Sequence, residues 1–119
     1  MNEPLLVLST IGNAEQGRHL ARELVELRLA ACVTCLPTGI SYYRWAGKVE
    51  EDAETLLLMK TTSERVASLK AHLLRVHPYE VPEFLVVALR DAGETYLKWL
   101  FESTTQVAPI AAAASDPRS

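Results

Sequence analysis

Apolar residues recur along the chain with two spacings, and each spacing predicts a type of secondary structure. Two short continuous apolar runs, Leu5–Leu8 and Phe84–Leu89, are typical of strands covered on both faces. Apolar residues at three- and four-residue intervals predict three helices, which follow Asn13, Ser63 and Gly93. Asn13 and Ser63 are the expected N-caps of the first two helices, because their side-chain oxygens can accept backbone hydrogen bonds. The apolar stripe of the second helix, which Pro78 ends, consists of Val66, Leu69, Leu73 and Val76.

A long hairpin is predicted between the first two helices. Residues 31–45 form a strand pattern that is interrupted at Pro37–Gly39, where a proline and a glycine permit a bulge. Ala46 and Gly47 turn the chain into another strand pattern over residues 48–62. Both arms exceed the usual strand length of about 5 to 6 residues, so we expect them to project beyond the sheet. Unpaired edges on such arms favour association with further copies, and they carry Tyr42, Tyr43 and Trp45.

The order of these elements predicts the fold class. Strand, helix, strand, strand, helix and strand, followed by an extra C-terminal helix, is the split βαβ order of the ferredoxin-like fold. We therefore expect an α+β sandwich with helices on one face of an antiparallel sheet. A chain of 119 residues has the length of one domain, which we place at residues 1–103. Residues 104–119 are rich in alanine and are expected to form a flexible tail.

Composition excludes some classes of partner. The formal net charge is −3 and no basic run stands out, which argues against nucleic acid as a partner. The apolar runs fall far short of the roughly 20 residues that span a bilayer, so no membrane association is expected. The first residues lack the basic region of a signal peptide. We expect a cytoplasmic protein.

The two cysteines, Cys32 and Cys35, have the spacing of a redox or metal motif. They lie in a strand pattern, however, and side chains three residues apart on a strand point to opposite faces of the sheet. Pro37 also opposes a helix beginning here, whereas a thioredoxin-type motif needs a helix N-terminus to activate its thiol. Inert, buried thiols are therefore favoured over a redox pair.

The segment 77–83 places an imidazole, a phenol and two carboxylates between two prolines. Prolines restrict the residues before them, so this loop is expected to be stiff, which suits either a binding site or a well-fixed connection. His72 and His77 are five residues apart and should not chelate one ion within a subunit, because a helix turns them away from each other. His19 lies among charged positions and is interpreted as a surface side chain.

Four segments together resemble the CutA divalent-cation-tolerance family. They are residues 28–32 (RLAAC), 43–50 (YRWAGKVE), 60–62 (KTT) and 77–83 (HPYEVPE), and they occur in the family's order and spacing. The resemblance covers residues 5–103. It implies a ferredoxin-like subunit, a homotrimer built by the long hairpins, a cytoplasmic location and an association with copper and other divalent cations.

Two departures from the family pattern bear on metal binding. Some members carry a cysteine where this chain has Ser9, and a second histidine where it has Val76. Thiolate suits Cu(I) and imidazole suits Cu(II), so weak binding of copper or another divalent cation is expected here. Our hypothesis is that a metal bound by His77 lies at a subunit junction, with Glu80 or Glu83. The alternative is that His77 only ends its helix and interacts with the helix C-terminal carbonyls.

An inter-subunit pocket lined by Cys32, Trp45, Lys60 and Tyr79 is a further expectation. Lys60 follows an apolar strand, so it is either a half-buried ammonium for an anionic ligand, beside Glu83 or Tyr79, or a lysine that reaches solvent. Trp45 is better explained as packing between subunits than as a stacking platform for a ligand.

Three functions remain open on the sequence. The first is a trimeric, non-enzymatic protein that binds divalent metals and confers tolerance to them. The second is a signalling trimer of the PII type, which binds small anionic ligands in clefts between subunits. The third is an enzyme that uses Lys60, Tyr79 and Glu83, and it ranks last because no nucleophile paired with a base is visible in the sequence.

Overall fold

The computed structural model describes residues 1–105. Strands lie at Pro4–Ile11 (β1), Cys32–Trp45 (β2), Lys48–Thr62 (β3) and Leu85–Ala88 (β4), and helices at Ala14–Glu26 (α1), Val66–Val76 (α2) and Glu94–Thr104 (α3). The strands form one sheet in the order β2-β3-β1-β4, with every neighbouring pair antiparallel. The predicted ferredoxin-like α+β fold is confirmed. Within residues 1–105, no helix has the length and apolar character needed to cross a membrane.

The core lies on one face of the sheet, beneath α1 and α2. Alternate residues of β1, including Val7 and Ile11, are buried against Leu24 of α1 and Leu73 of α2. The intervening residues of β1 are only half-buried, so the expectation that β1 is covered on both faces is wrong for a single subunit. The same correction applies to β4, the edge strand, because each of its side chains is exposed.

The hairpin turns and bends where the sequence predicts. Ala46 and Gly47 both have positive φ, at 50° and 80°, as a two-residue turn that follows the twist of its strands requires. The pairing register shifts between Leu36 and Gly39, which places the predicted bulge in β2. The arms stay paired as far as Trp45 and Lys48, and the molecule is 50 Å long but only 30 and 26 Å across. The predicted long hairpin is confirmed.

Two cap predictions have opposite outcomes. The Asn13 side chain accepts a 3.0 Å hydrogen bond from the Gln16 backbone N–H, so Asn13 is the N-cap of α1. Ser63 is not the N-cap of α2, which begins after Arg65 without a side-chain cap. The Ser63 hydroxyl instead accepts a 2.9 Å hydrogen bond from the Glu3 backbone N–H. A contact with the chain's first residues therefore outweighs the local cap signal.

Two further boundaries differ in detail from the sequence patterns. Val76 closes the predicted apolar stripe of α2 but is 44% exposed, whereas Leu69 and Leu73 are fully buried. Helix α3 contacts β3 and β1 and continues to Thr104, one residue beyond the predicted domain boundary. Thr104 is buried, and its hydroxyl donates to the Leu100 carbonyl. Beyond Thr104 and Thr105, the predicted tail lies outside the described residues.

Candidate functional site

The proline-framed loop closes the open edge of the central strand β1. Strand β4 pairs with β1 only over residues 5–8, so the edge formed by residues 9–11 has no partner strand. His77 Nε2 lies 2.7 Å from the Thr10 carbonyl oxygen, and the Ser9 hydroxyl donates to the Glu83 carbonyl at 2.7 Å. Two side-chain hydrogen bonds thus replace the missing strand ladder along this edge.

His77 uses both nitrogens of its ring in these contacts. Its backbone is extended at the end of α2, which turns the ring towards β1, and the residue is only 7% exposed. The Tyr79 backbone N–H donates to Nδ1 at 3.1 Å, so Nε2 carries the proton that is donated to the Thr10 carbonyl. The ring also packs edge-on against Tyr79, with centroids 4.7 Å apart. His77 must release one hydrogen bond before it can bind a metal ion.

Tyr79 links the loop to the base of the hairpin. Its hydroxyl donates to Glu54 Oε2 at 2.6 Å after passing over Gly12. A Cβ atom at position 12 would lie 2.9 Å from that hydroxyl oxygen, so any other residue there would force the Tyr79 side chain to shift. A second phenol, Tyr43, donates to Asp52 on the same strand as Glu54. Two phenol–carboxylate pairs therefore follow each other along β3.

Both phenols hold their protons more tightly than free tyrosine. Burial, with the hydrogen bond to Glu54, raises the pKa of Tyr79 well above its ordinary value. The hydrogen bond to Asp52 is the main cause that raises the pKa of Tyr43 to about 12. Above pH of about 10 the folded protein keeps protons that the unfolded chain has lost, so stability falls as the pH rises through this range.

The four residues expected to line one pocket do not meet within one subunit. Cys32 and Lys60 are direct partners across β2 and β3, and Lys60 Nζ lies 3.9 Å from Cys32 Sγ and 3.1 Å from Thr34 Oγ1. Trp45 is at the hairpin tip, about 40 Å from Cys32 along β2 at ~3.3 Å per residue. Tyr79 lies beside Glu54, near the middle of β3 and six residues along the strand from Lys60. Only Cys32 and Lys60 are brought together.

The three expected metal ligands are spread along the loop. His77 is buried, Glu80 is exposed and Glu83 is half-buried. The part of the chain that the structure describes contains no group of three or more His, Cys, Asp or Glu side chains arranged to hold an ion. A metal bound at this loop would need ligands from a second subunit or a rearrangement of these side chains.

The cysteines lie on opposite faces of the sheet, as predicted. Cys35 packs against the core, and its thiol donates to the Gly17 carbonyl at 3.8 Å. Burial raises the pKa of the Cys35 thiol, which disfavours the reactive thiolate. Cys32 lies on the other face beside Lys60, and neither cysteine is in a disulfide.

Sequence patterns did not indicate the phenol–carboxylate pairs. The contact between Tyr43 and Asp52 could have been predicted from the sequence. The turn at Ala46 and Gly47 sets Tyr43 opposite Glu50, and Tyr43 is therefore diagonal to Asp52. The contact between Tyr79 and Glu54 joins a loop to a strand, and no local spacing signals it.

A four-stranded antiparallel sheet with an extended β2–β3 hairpin and helices α1 and α2 over one face defines a ferredoxin-like α+β protein. Residues 5–103 match the family model described as CutA1 divalent ion tolerance protein, and the chain belongs to this family.

Relatives and solved structures agree with this membership. The chain is 46% identical to the divalent-cation tolerance protein CutA of Thermus thermophilus over 99 residues, which are 83% of this chain and 96% of that protein. It is 41% identical to protein CutA of Mus musculus over 98 residues, 82% of this chain and 55% of that protein. The chain thus spans about half the length of the mouse relative.

Two solved structures have the same fold. CutA from Xylella fastidiosa superposes with a TM-score of 0.84 at 37% identity, over 87% of this chain and 99% of that one. The divalent cation tolerance protein of Thermus thermophilus superposes with a TM-score of 0.82 at 45% identity, over 88% of this chain and all of that one.

We predict that Glu54→Gln lowers the pKa of Tyr79 towards its ordinary value of about 10, because the variant removes the carboxylate but leaves the burial unchanged. Ultraviolet titration of tyrosinate measures this change. Glu51→Gln is the control, since Glu51 is another carboxylate of β3 but does not bond to Tyr79. Identical titration curves for the wild type and Glu54→Gln would contradict the contact.

Proposed function

We propose that this chain forms a cytoplasmic homotrimer that binds divalent cations, copper among them, and contributes to cation tolerance without catalysing a reaction. The observation that carries the proposal is the match of residues 5–103 to the divalent ion tolerance family. Thermus thermophilus and Yersinia pestis relatives bear the name divalent-cation tolerance protein. Direct binding of the ions is the simplest way in which such a protein could confer tolerance to them.

Exposed apolar surface on the sheet supports the assembly. Leu85, Val86 and Val87 of the edge strand β4 are 52%, 48% and 42% exposed. Leu85 and Val87 share a sheet face with Leu8 and Leu6, their partners on β1, and this is the face opposite the core. A monomer would leave both this apolar face and an open strand edge in water, which favours association and aggregation. Three copies joined by their sheets and hairpins remove that exposure.

We expect Val87→Glu to weaken the trimer, because it places a charge on the uncovered apolar face. Sedimentation velocity at low micromolar concentration should show a trimer for the wild type and smaller species for the variant. Leu74→Glu is the matched control, since Leu74 is 41% exposed but lies on α2, away from the sheet face. A monomeric wild type would overturn the assembly proposal.

The proposed metal site is the junction of His77, Glu80 and Glu83 with a neighbouring subunit. The exposed Glu80 carboxylate is open to an ion or a partner, and Glu83 lies on the same loop. Both nitrogens of His77 are engaged, so binding there costs a hydrogen bond and should be weak. Some family members have a cysteine and a histidine where this chain has Ser9 and Val76. The loss of these two ligands also predicts weak metal binding.

We predict that His77→Ala and Glu80→Gln each reduce Cu(II) uptake by the trimer, because each removes a proposed ligand. Isothermal titration with copper chloride measures the affinity and the number of sites. Glu64→Gln is the control, since it removes an exposed carboxylate at a distance from the loop. Unchanged copper affinity in both ligand variants would place any binding elsewhere.

A second candidate function is the binding of small anions in a cleft between subunits, as in signalling trimers of the PII type. The observation that favours it is the environment of Lys60, whose side-chain partners within residues 1–105 are the Thr34 hydroxyl and the Cys32 thiol rather than a carboxylate. An ammonium without a carboxylate partner is suited to accept an anionic ligand. In the assembled protein, Trp45 and Tyr79 of a neighbouring subunit would complete the predicted pocket.

For this second function we predict that nucleotides or carboxylates raise the melting temperature and that Lys60→Gln abolishes the rise, because the bound state alone gains stability. A thermal-shift screen that includes copper and zinc measures both responses. Lys98→Gln, which removes an exposed charge from α3, serves as the control. Stabilisation by metals but by no anion would eliminate the signalling function.

A further inference from the structure

A carboxylate and an imidazole meet between the two helices that cover the core. His72 Nε2 of α2 lies 2.6 Å from Glu23 Oε1 of α1, and the two side chains are 13% and 37% exposed. An Arg75 guanidinium nitrogen lies 3.0 Å from the other ring nitrogen, Nδ1. A guanidinium can only donate, so Nδ1 accepts, and the proton on Nε2 is donated to Glu23. The hydrogen bond from His72 is the largest cause that lowers the pKa of the Glu23 carboxyl.

A second imidazole, that of His19, lies on α1 one turn before Glu23. His19 precedes Glu23 by four residues on α1, and residues at that spacing lie on the same face of a helix. Its charge contributes to the lowered pKa of Glu23, and both residues line a groove of about 480 Å³ between α1 and the end of α2. His19 is exposed, so its ring can rotate without losing core packing.

We propose that His19, Glu23 and His72 form a binding site for a borderline divalent cation such as Zn²⁺. Two imidazoles and one carboxylate are the donor set that such ions favour, and a helical pair at four-residue spacing is a common way to present two of the ligands. Water or Glu15, which lies one turn earlier in the same groove, completes the coordination. This site lies on the helical face and does not depend on the metal proposed at His77.

The change needed to admit an ion is small. In residues 1–105 as described, no three such donors surround a common point, and only Glu23 and His72 are in contact. Metal–ligand distances of about 2.0 to 2.2 Å with tetrahedral angles separate the two donor atoms by ~3.3 Å. Glu23 and His72 must therefore move apart by roughly 0.7 Å while His19 rotates towards them. The His72 ring remains neutral, because its proton moves from Nε2 to Nδ1 through solvent.

Arg75 competes with the ion. Its hydrogen bond requires a bare Nδ1, whereas metal binding at Nε2 requires a proton on Nδ1, so the two states exclude each other. Its positive charge also repels a cation at this distance. His72 can therefore either join α1 and α2 through Glu23 or bind a metal ion, but it cannot do both at once. A purely structural contact would give no response to zinc.

The test is a zinc titration of the full-length, ¹⁵N-labelled assembled protein, followed by imidazole NMR. The chain has three histidines, so each can be followed separately. We expect the signals of His19 and His72 to shift together on addition of zinc chloride. A shift of His77 without His72, a shift of His19 alone or no shift at millimolar zinc overturns this proposal. The His77 signal reports separately on the metal site proposed at the loop, so the two sites can fail independently.

Variants provide a second measurement. Glu23→Gln should weaken zinc binding at least about tenfold, since it removes the only carboxylate among the three proposed ligands. Glu26→Gln should leave the affinity unchanged, because Glu26 pairs with Arg22 on the solvent side of α1. Arg75→Gln should strengthen binding, because it removes both the competing hydrogen bond and the positive charge. Equal affinity in all three variants and the wild type would overturn the proposal, and circular dichroism confirms that each variant is folded.

Discussion

The incomplete pairing of β1 is the constraint that organises the loop side of this protein. Strand β1 has eight residues, whereas its neighbour β4 has four, so half of one edge of a central strand lacks a partner strand. A buried backbone carbonyl without a hydrogen bond costs about 1 to 3 kcal/mol. His77 satisfies the Thr10 carbonyl, and the Ser9 hydroxyl satisfies the Glu83 carbonyl. These contacts give His77 and the loop a structural role that does not depend on any ligand.

Local patterns predicted the elements of this fold because the responsible forces are local. The Asn13 cap depends on a backbone group three residues away, and the turn at Ala46 and Gly47 depends on two consecutive residues with positive φ. Ser63 has an equally good cap signal but bonds to Glu3, 60 residues earlier in the chain. Sequence spacing carries no information about that competition, which arises only after β1 and β3 have paired.

The candidate sites were predictable to the extent that strand pairing fixes them. Cys32 lies opposite Lys60 because the bulge between Leu36 and Gly39 shifts by one residue the register that the turn sets. The partners of His77 and Tyr79 lie 67 and 25 residues earlier in the chain, so no helical or strand period could indicate them. The close approach of the Tyr79 side chain to Gly12 could not be predicted from the sequence, because it depends on how the loop folds.

Family membership fixes the fold of residues 5–103, but each ligand set is decided by individual side chains. A histidine that closes a strand edge is held by two hydrogen bonds in a buried place, and redirecting it exposes a carbonyl. Glu23 and His19 on α1 are instead partly or fully open to solvent, so turning them towards an ion disturbs little packing. His72, however, has both ring nitrogens hydrogen-bonded as His77 does, so an ion on the helical face would also displace existing contacts. Ligands from a neighbouring subunit would add donors at the loop, but His77 would still have to release one of its two hydrogen bonds.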